Sequence, residues 1–374
     1  MRLSVSGGGT GGHVYPALAV ARALRDAQPD VELSYIGGAR GLERRLVADG
    51  EMAYHQLVVR SLRTAGRDVH LVLDPIRLAA SVPQAWRLLG RLGPAALFTT
   101  GGYLALPLVM AARSRGIPTL VWEGNVIPGR ATTAVGRIAT RVAVSFPPTL
   151  AAFGDRGFVS GTPIRSFDQV DREAARASFG VGDADHLLLV FGGSQAVARI
   201  TAALDASLER LLDDWHVLHL AGEQGMAPAL ALRSRLPDST RHRYQPIAFL
   251  TDRMADALVA ADLVLGRAGS STCAEVAAVG VASILVPYPH AAAHQQANAA
   301  WLAENGAALV VPDEQLDGAR LQVEASVLRD DQRRATMADA ARRLGRPDAA
   351  RRIADELLAL AERRPPSSPE SPTA

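Results

Sequence analysis

Three stretches of this chain join a short apolar run to glycine and hydroxyl residues and then to a helical pattern. They are Gly7-Gly8-Gly9-Thr10-Gly11-Gly12-His13, Gly192-Gly193-Ser194-Gln195, and Gly266-Arg267-Ala268-Gly269-Ser270-Ser271-Thr272-Cys273-Ala274-Glu275. Glycines after a strand let the backbone approach a ligand, and the helix start that follows offers N–H groups and a positive dipole. A diphosphate suits that chemistry. No Gly-Lys-Ser/Thr follows the first cluster, so it is not a nucleotide P-loop. Its glycines also exceed what a dinucleotide-binding turn requires. The plain alternative is a tight strand–helix turn with no ligand. His13 falls in the first turn of the next helix, where the positive helix end disfavours an imidazolium. A neutral ring there is either a general base, a donor to phosphate, or an ordinary partly exposed histidine.

Further polar groups fall at other strand ends. Thr99-Thr100-Gly101-Gly102-Tyr103 is a second glycine region, and Trp122-Glu123-Gly124-Asn125 ends another apolar run. Asn125 could present its amide to an acyl or hydroxyl group, or close an Asx-turn. Glu275 could accept both hydroxyls of a ribose, or complete a Thr272-x-x-Glu275 capping box. After Pro287-Tyr288-Pro289-His290, the amides of His294-Gln295-Gln296-Ala297-Asn298 gather at a helix start, where they suit sugar hydroxyls or a polar cap. No His/Cys/Glu cluster has metal-ligand spacing. Asp183-Ala184-Asp185 precedes a strand and reads as a loop, and no Gly-x-Ser-x-Gly elbow occurs.

The elements that must carry these groups alternate. Strands are expected at Leu3–Ser6, Val31–Ile36, Ala53–Val58, Ala95–Thr99, Thr119–Trp122, Val142–Ser145 and, as a short run, Phe158–Ser160. They resume at His186–Phe191, Trp215–Leu220, Leu263–Leu265, Ala282–Val286 and Ala307–Val311, with helical segments such as Val14–Ala27 and Ala196–Leu212 between. This alternation predicts an α/β protein with parallel sheets. The strand–glycine–helix unit at Leu3–Gly12 restarts at Leu187–Gln195, so two Rossmann-like domains are expected, joined at Gly161-Thr162-Pro163-Ile164-Arg165. The expected boundaries are 1–163, 164–345, a C-terminal helix at 346–364 packing back on the first domain, and a disordered Pro/Ser-rich tail at 365–374.

Composition narrows the class. The chain has 374 residues, 48% of them hydrophobic, which is ample for two cores. A single cysteine excludes a disulfide framework and a Cys-based zinc site. All 40 basic residues are Arg and the net charge is +2, too small an excess to argue for nucleic acid. Anions must therefore be met by guanidinium forks or backbone. No export signal opens the chain, and the least polar stretch, Val276–Ala293, is broken by Gly280, Pro287 and Pro289.

Gly8-Gly9-Thr10-Gly11-Gly12-His13-Val14-Tyr15-Pro16-Ala17-Leu18-Ala19 resembles the amino-terminal signature of the MurG family. Thr100–Tyr103, Gly192–Gln195, Arg267–Glu275 and Pro287–Asn298 resemble its later signatures in order, from about residue 1 to 345. Trp122 stands where members commonly carry His, and Ala196 where they carry Gly. The resemblance implies the GT-B fold, two facing Rossmann-like domains with a cleft between them. It implies an inverting transferase, active without a metal or other cofactor, that moves N-acetylglucosamine from UDP-N-acetylglucosamine to undecaprenyl-diphospho-N-acetylmuramoyl-pentapeptide, forming lipid II. His13 would be the catalytic base. Thr10, Gly11 and Gly12 would complete the site from the first domain. Arg165 and Leu250 would border uracil, and Glu275 would bind ribose. Ser194, Ser271 and Thr272 would face the diphosphate with Ser270 beside them, and Gln295 and Asn125 would hold the sugar. Another GT-B UDP-sugar enzyme, such as a diacylglycerol glycosyltransferase or a 2-epimerase, differs mainly in the acceptor half; a non-catalytic nucleotide-sugar sensor would not need His13.

A lipid-linked acceptor calls for peripheral attachment at the cytoplasmic face of the cell membrane. Val69 to Leu89, including Trp86 and preceded by Arg60, Arg63 and Arg67, has the composition for shallow insertion among anionic headgroups. The same stretch would equally serve as a core-facing helix.

Overall fold

The structure is a computed structural model of the whole chain. It describes residues 1–9, 11–38, 43–48, 52–58, 70–192, 198–250, 253–289 and 293–362, with the side chains of residues 48 and 70–79 left aside. The chain divides into two compact units, Met1–Ile164 with Asp348–Ala374, and Arg165–Pro347.

Unit 1 is built on seven parallel strands: β1 (Arg2–Ser6), β2 (Glu32–Gly38), β3 (Ala53–Leu57), β4 (Ala96–Thr99), β5 (Thr119–Glu123), β6 (Arg141–Val144) and β7 (Gly157–Val159). Their order is β3-β2-β1-β4-β5-β6-β7. The order reverses beside β1, which pairs with β2 on one side and β4 on the other, Ser6 lying opposite both Ile36 and Thr99. Ligands of open α/β sheets sit at such a switch point, beyond the carboxyl ends of the strands. Helices α1 (Gly11–Ala27), α2 (Glu43–Ala48), α3 (His70–Leu92), α4 (Ala105–Ser114) and α5 (Arg130–Gly136) cross between strands. The central strands are covered on both faces, which is why β4, β5 and β6 are buried at every position and read as continuous apolar runs.

Unit 2 repeats the plan with six strands: β8 (Leu187–Phe191), β9 (His216–Leu220), β10 (Tyr244–Ile247), β11 (Leu263–Gly266), β12 (Ala282–Leu285) and β13 (Leu309–Val310). Their order is β10-β9-β8-β11-β12-β13, again reversing beside the first strand. Its helices are α6 (Arg172–Ser178), α7 (Ala198–Asp214), α8 (Gly222–Arg235), α9 (Asp238–Arg241), α10 (Met254–Ala260), α11 (Ser270–Val279), α12 (His294–Glu304), α13 (Gly318–Val327) and α14 (Asp331–Leu344). β10 had no counterpart among the expected strands. Its sequence, Tyr-Gln-Pro-Ile, is polar and carries Pro246, which an edge strand tolerates because one row of its N–H groups pairs with nothing.

The last helix, α15 (Ala349–Ala361), belongs to unit 1. Its Ile353, Ala354, Leu357 and Leu360 enter the same core as Val14, Leu18 and Phe98. Each large side chain buried there contributes about 1.5–3 kcal/mol. Glu356 lies 3.0 Å from Arg141 Nε, both side chains enclosed.

Candidate functional site

In unit 1 the groups gather where β1, β4 and β5 end. α1 starts at Gly11, so its first N–H groups, which have no partner within the helix, follow directly on the glycine loop. Gly11 is half-buried and Gly12 exposed; Thr10 lies outside the described residues. His13 Nδ1 is 2.8 Å from the carbonyl oxygen of Thr100. A carbonyl only accepts, so Nδ1 carries the hydrogen and, in the neutral ring, Nε2 carries the lone pair. Thr100 Oγ1 donates back to the carbonyl of His13 at 2.9 Å. Both ring and backbone of His13 are thus held by the end of β4. Nε2 faces Gly102, where a Cβ would lie 3.6 Å from it.

Glu123, the last residue of β5, is buried and organises the loop after it. Its Oε1 accepts the backbone N–H and the side-chain Nδ2 of Asn125, both at 3.0 Å, and its Oε2 accepts the N–H of Gly129 at 2.9 Å. A carboxylate can only accept from Asn125, so it is the amide nitrogen that points to Glu123. Trp122 is 2% exposed. Its Nε1 donates to Ser145 Oγ at 3.1 Å and to the carbonyl of Gly161 at 3.2 Å. The indole is thereby tied into the core and shares no hydrogen bond with Asn125.

The glycines of the first loop are also needed for packing. A Cβ on Gly8 would come 2.6 Å from Leu104 Cδ1 and 3.0 Å from Glu43 Oε1. Close approach to a ligand is therefore not the only reason for them.

In unit 2, α11 begins at Ser270 with Gly269 as its N-cap and no side-chain cap. Ser270, Ser271 and Thr272 supply the first-turn N–H groups and hydroxyls, all half-buried. The Thr272-x-x-Glu275 capping box does not form, because the helix starts two residues before Thr272. Glu275 instead receives Arg165 Nε on Oε1 at 2.9 Å. Burial pushes the Glu275 carboxyl above the usual carboxylate range, and the Arg165 guanidinium opposes that rise. Leu250 is half-buried just after β10, next to the exposed Phe249. Ser194 lies outside the described residues.

Gln295 is in the first turn of α12, and its Oε1 accepts the N–H of Tyr288 at 2.9 Å. A backbone N–H forces that choice of atom, so Nε2 with its two hydrogens is the end that Tyr288 does not engage. The helix follows Ala293, the one described non-glycine residue with positive φ, at 65°. Strain of this kind costs on the order of 1 kcal/mol and collects at ligand-binding segments. Arg267, which had been assigned no role, is buried after β11 and pairs with Asp313 at 2.5 Å; Asp313 also takes Arg199 at 3.1 Å. Thr100, Glu123 and Glu43 were likewise given no part in the site. Thr100 meets its partner 87 positions away, which spacing alone does not reveal, whereas Glu123 and Glu43 organise their own loops from within six residues.

Two doubly wound parallel units, each with glycine-rich strand–helix junctions at its switch point, define the GT-B class of glycosyltransferases. Residues 3–144 match the glycosyltransferase family 28 N-terminal domain and residues 187–353 the glycosyltransferase family 28 C-terminal domain. The chain is 39% identical over 360 residues to a Salinibacter ruber protein, covering 96% of each. That protein is named UDP-N-acetylglucosamine–N-acetylmuramyl-(pentapeptide) pyrophosphoryl-undecaprenol N-acetylglucosamine transferase. The crystal structure of Acinetobacter baumannii MurG superposes with a TM-score of 0.78 at 30% identity, over 96% of this chain and 99% of that one. A UDP-N-acetylglucosamine 2-epimerase from Listeria monocytogenes, at 14% identity and a TM-score of 0.69 over 97% of each chain, shares the fold alone. The chain belongs to the MurG family of glycosyltransferases.

Proposed function

We propose that the protein transfers N-acetylglucosamine from UDP-N-acetylglucosamine to undecaprenyl-diphospho-N-acetylmuramoyl-pentapeptide, forming lipid II for peptidoglycan synthesis. Identity of 39% over 96% of both chains with a relative named for that transfer carries this reading. The acceptor hydroxyl oxygen bonds to the anomeric carbon as the bond from that carbon to the UDP oxygen breaks, so the configuration inverts. The hydroxyl proton passes to His13 Nε2, the ring nitrogen that the Thr100 carbonyl leaves with its lone pair. Asn125, its amide fixed by Glu123, offers Oδ1 to a hydroxyl or N–H of a sugar, and Gly11 and Gly12, with Thr10, border the same place.

On the donor side Glu275 takes the ribose hydroxyls, in exchange for or beside Arg165, and Arg165 and Leu250 flank the base. The N–H groups and hydroxyls of Ser270, Ser271 and Thr272, with Ser194, receive the diphosphate and stabilise it as it leaves. Gln295 Nε2 donates to the transferred sugar.

The acceptor is anchored in a bilayer, so the protein works at the cytoplasmic membrane surface. Among the described residues no helix is long and apolar enough to cross a membrane. α3 supports peripheral attachment: Ala85, Leu88 and Leu89 are buried while Trp86 is 46% exposed. Arg115 lies over its ring at 3.6 Å. Incubation with UDP-N-acetylglucosamine and a lipid I analogue should yield the disaccharide lipid and UDP. Transfer to diacylglycerol instead, or epimerisation of the donor without an acceptor, would overturn the assignment.

A further inference from the structure

A buried carboxylate that the chemistry above does not use sits under the first glycine loop. Glu43 opens α2, and its side chain is wholly enclosed. Oε1 accepts the N–H of Gly38, the last residue of β2, at 3.0 Å, while Oε2 has no hydrogen-bond partner among the described residues. Three tyrosines surround it. All three phenols are held above their ordinary range, first by burial and next by the Glu43 charge. Two have committed hydroxyls: Tyr35 donates to the carbonyl of Gly7 at 2.7 Å and Tyr54 to that of Gly38 at 2.6 Å.

Tyr103 differs. It is half-buried, and its hydroxyl makes no hydrogen bond among the described residues. Two bare backbones show where it lies. A Cβ on Gly38 would overlap the Tyr103 hydroxyl and sit 3.3 Å from Glu43 Oε1; a Cβ on Gly8 would sit 3.5 Å from the hydroxyl and 3.0 Å from Oε1. A Cβ on Gly9 would touch the ring at 3.3 Å. Carboxylate and hydroxyl therefore flank the same glycines. In a low-dielectric surrounding, an O–H dipole beside a fixed anion turns its hydrogen towards the charge and its lone pairs away.

We propose that Glu43 is a positioning residue that sets the polarity of the Tyr103 hydroxyl, so that Tyr103 Oη serves as a hydrogen-bond acceptor at the Gly8–Gly9 turn. Its partner is a hydroxyl or amide hydrogen on the sugar that receives the transferred residue. A second anion over that turn would be repelled by the buried carboxylate, which places the neutral sugar there and the acceptor's diphosphate elsewhere. This rests on the acceptor-side reading of unit 1 given under Proposed function.

The test compares the full chain with its Glu43→Gln and Tyr103→Phe variants. Acceptor kcat/KM and UDP affinity are measured, and the Tyr103 ring is followed by NMR of Cζ-labelled tyrosine. Glu43→Gln removes the charge. It should lower acceptor kcat/KM about tenfold, mainly through KM, shift the Tyr103 resonance and leave UDP affinity unchanged. Tyr103→Phe should cost a similar factor, and the double variant no more than the worse single one. An unmoved Tyr103 resonance in Glu43→Gln, or losses that multiply in full, would overturn the proposal. Tyr103→Phe leaves the carboxylate in place, so an unchanged acceptor KM in that variant overturns it even if Glu43→Gln does not fold. Absence of any transfer by the wild type would strike at the functional reading instead, and the resonance shift, which needs no turnover, would still decide the polarity of Tyr103.

Discussion

Glu123, the last residue of β5 in unit 1, and Glu275, within α11 of unit 2, are both buried acids, and they are held in opposite ways. Glu123 is saturated by its own loop: three N–H donors, from Asn125 and Gly129, occupy its two oxygens. Glu275 is met by one cation, the half-buried Arg165, from 110 positions earlier in the chain. A carboxylate saturated by backbone cannot take a ligand without dismantling the loop. One countered by a guanidinium can exchange that partner for another set of donors at modest cost. Under the proposed function Glu123 then builds the acceptor side, and Glu275 is the acid that would meet a nucleotide. The amides differ as well: Asn125 is held through its nitrogen, by Glu123, and Gln295 through its oxygen, by the N–H of Tyr288.

If unit 1 holds preassembled chemistry and unit 2 an exchangeable donor site, the harshest way to break the distinction is His13→Ala. Loss of the base should lower turnover by roughly 10²–10⁴ while UDP affinity, read by calorimetry, stays within about twofold. Near wild-type turnover would place the proton elsewhere. Glu123 is a poor substitute, since its oxygens are already engaged.

Glu123→Gln tests the builder directly. An amide nitrogen would face N–H donors where an oxygen now accepts, at a cost of about 1–3 kcal/mol in stability. Denaturant unfolding should show that loss, and turnover should fall, with UDP affinity unchanged. Glu275→Ala should do the converse and weaken UDP by about 1–3 kcal/mol with little change in melting temperature. Unchanged UDP affinity in a folded Glu275→Ala protein would remove the ribose role.

Glu275 also predicts a pH dependence. The folded Glu275 carboxyl binds its proton more tightly than an unfolded one. Between the ordinary carboxylate value and the raised one, the folded state carries the extra proton, so this group's contribution to stability falls as pH rises, by at most about 1.4 kcal/mol per unit. UDP affinity should move the other way, strengthening as pH rises through the folded value and the carboxylate forms. Glu275→Gln should flatten both profiles, which unfolding and calorimetry at a series of pH values would show.

Much of this scaffold was legible because parallel strands covered on both faces are mostly apolar along their length. β4, β5, β6, β8, β11 and β12 therefore stand out as short unbroken runs, whereas edge strand β10, with Pro246 and polar neighbours, does not. The glycine–hydroxyl junctions were legible for the same local reason. Partnership was not. Thr100 reaches His13 across 87 positions, and Arg165 reaches Glu275 across 110, through strand order rather than spacing. The capping-box pattern misled in a related way. Its spacing is met, but α11 starts three residues earlier than the pattern requires, with Gly269 as N-cap in place of Thr272, which leaves the glutamate for Arg165.

The smallest effect expected concerns the membrane, and it sharpens the division because it should touch neither acid. α3 divides by face: Ala85, Leu88 and Leu89 enter the core with Leu97, Leu104 and Leu108, while Trp86, Arg87 and Arg91 are exposed. The Trp86 ring is not bare, since Arg115 stacks on it at 3.6 Å and donates from Nε to the Trp86 carbonyl at 2.6 Å. Gly90 admits this crossing, for a side chain there would overlap the guanidinium. An indole under a fixed guanidinium, with Arg87 and Arg91 alongside, combines an interfacial anchor with charges that meet anionic headgroups, each worth on the order of 1 kcal/mol at the surface. Trp86→Ser should therefore reduce sedimentation with anionic vesicles severalfold, and Arg115→Ser somewhat less. Raised salt should weaken binding of the wild type more than that of the arginine variant. UDP affinity and transfer to a water-soluble acceptor should be unchanged in both. Vesicle binding unaffected by either substitution would confine α3 to its core face and move the membrane contact to another surface of the protein.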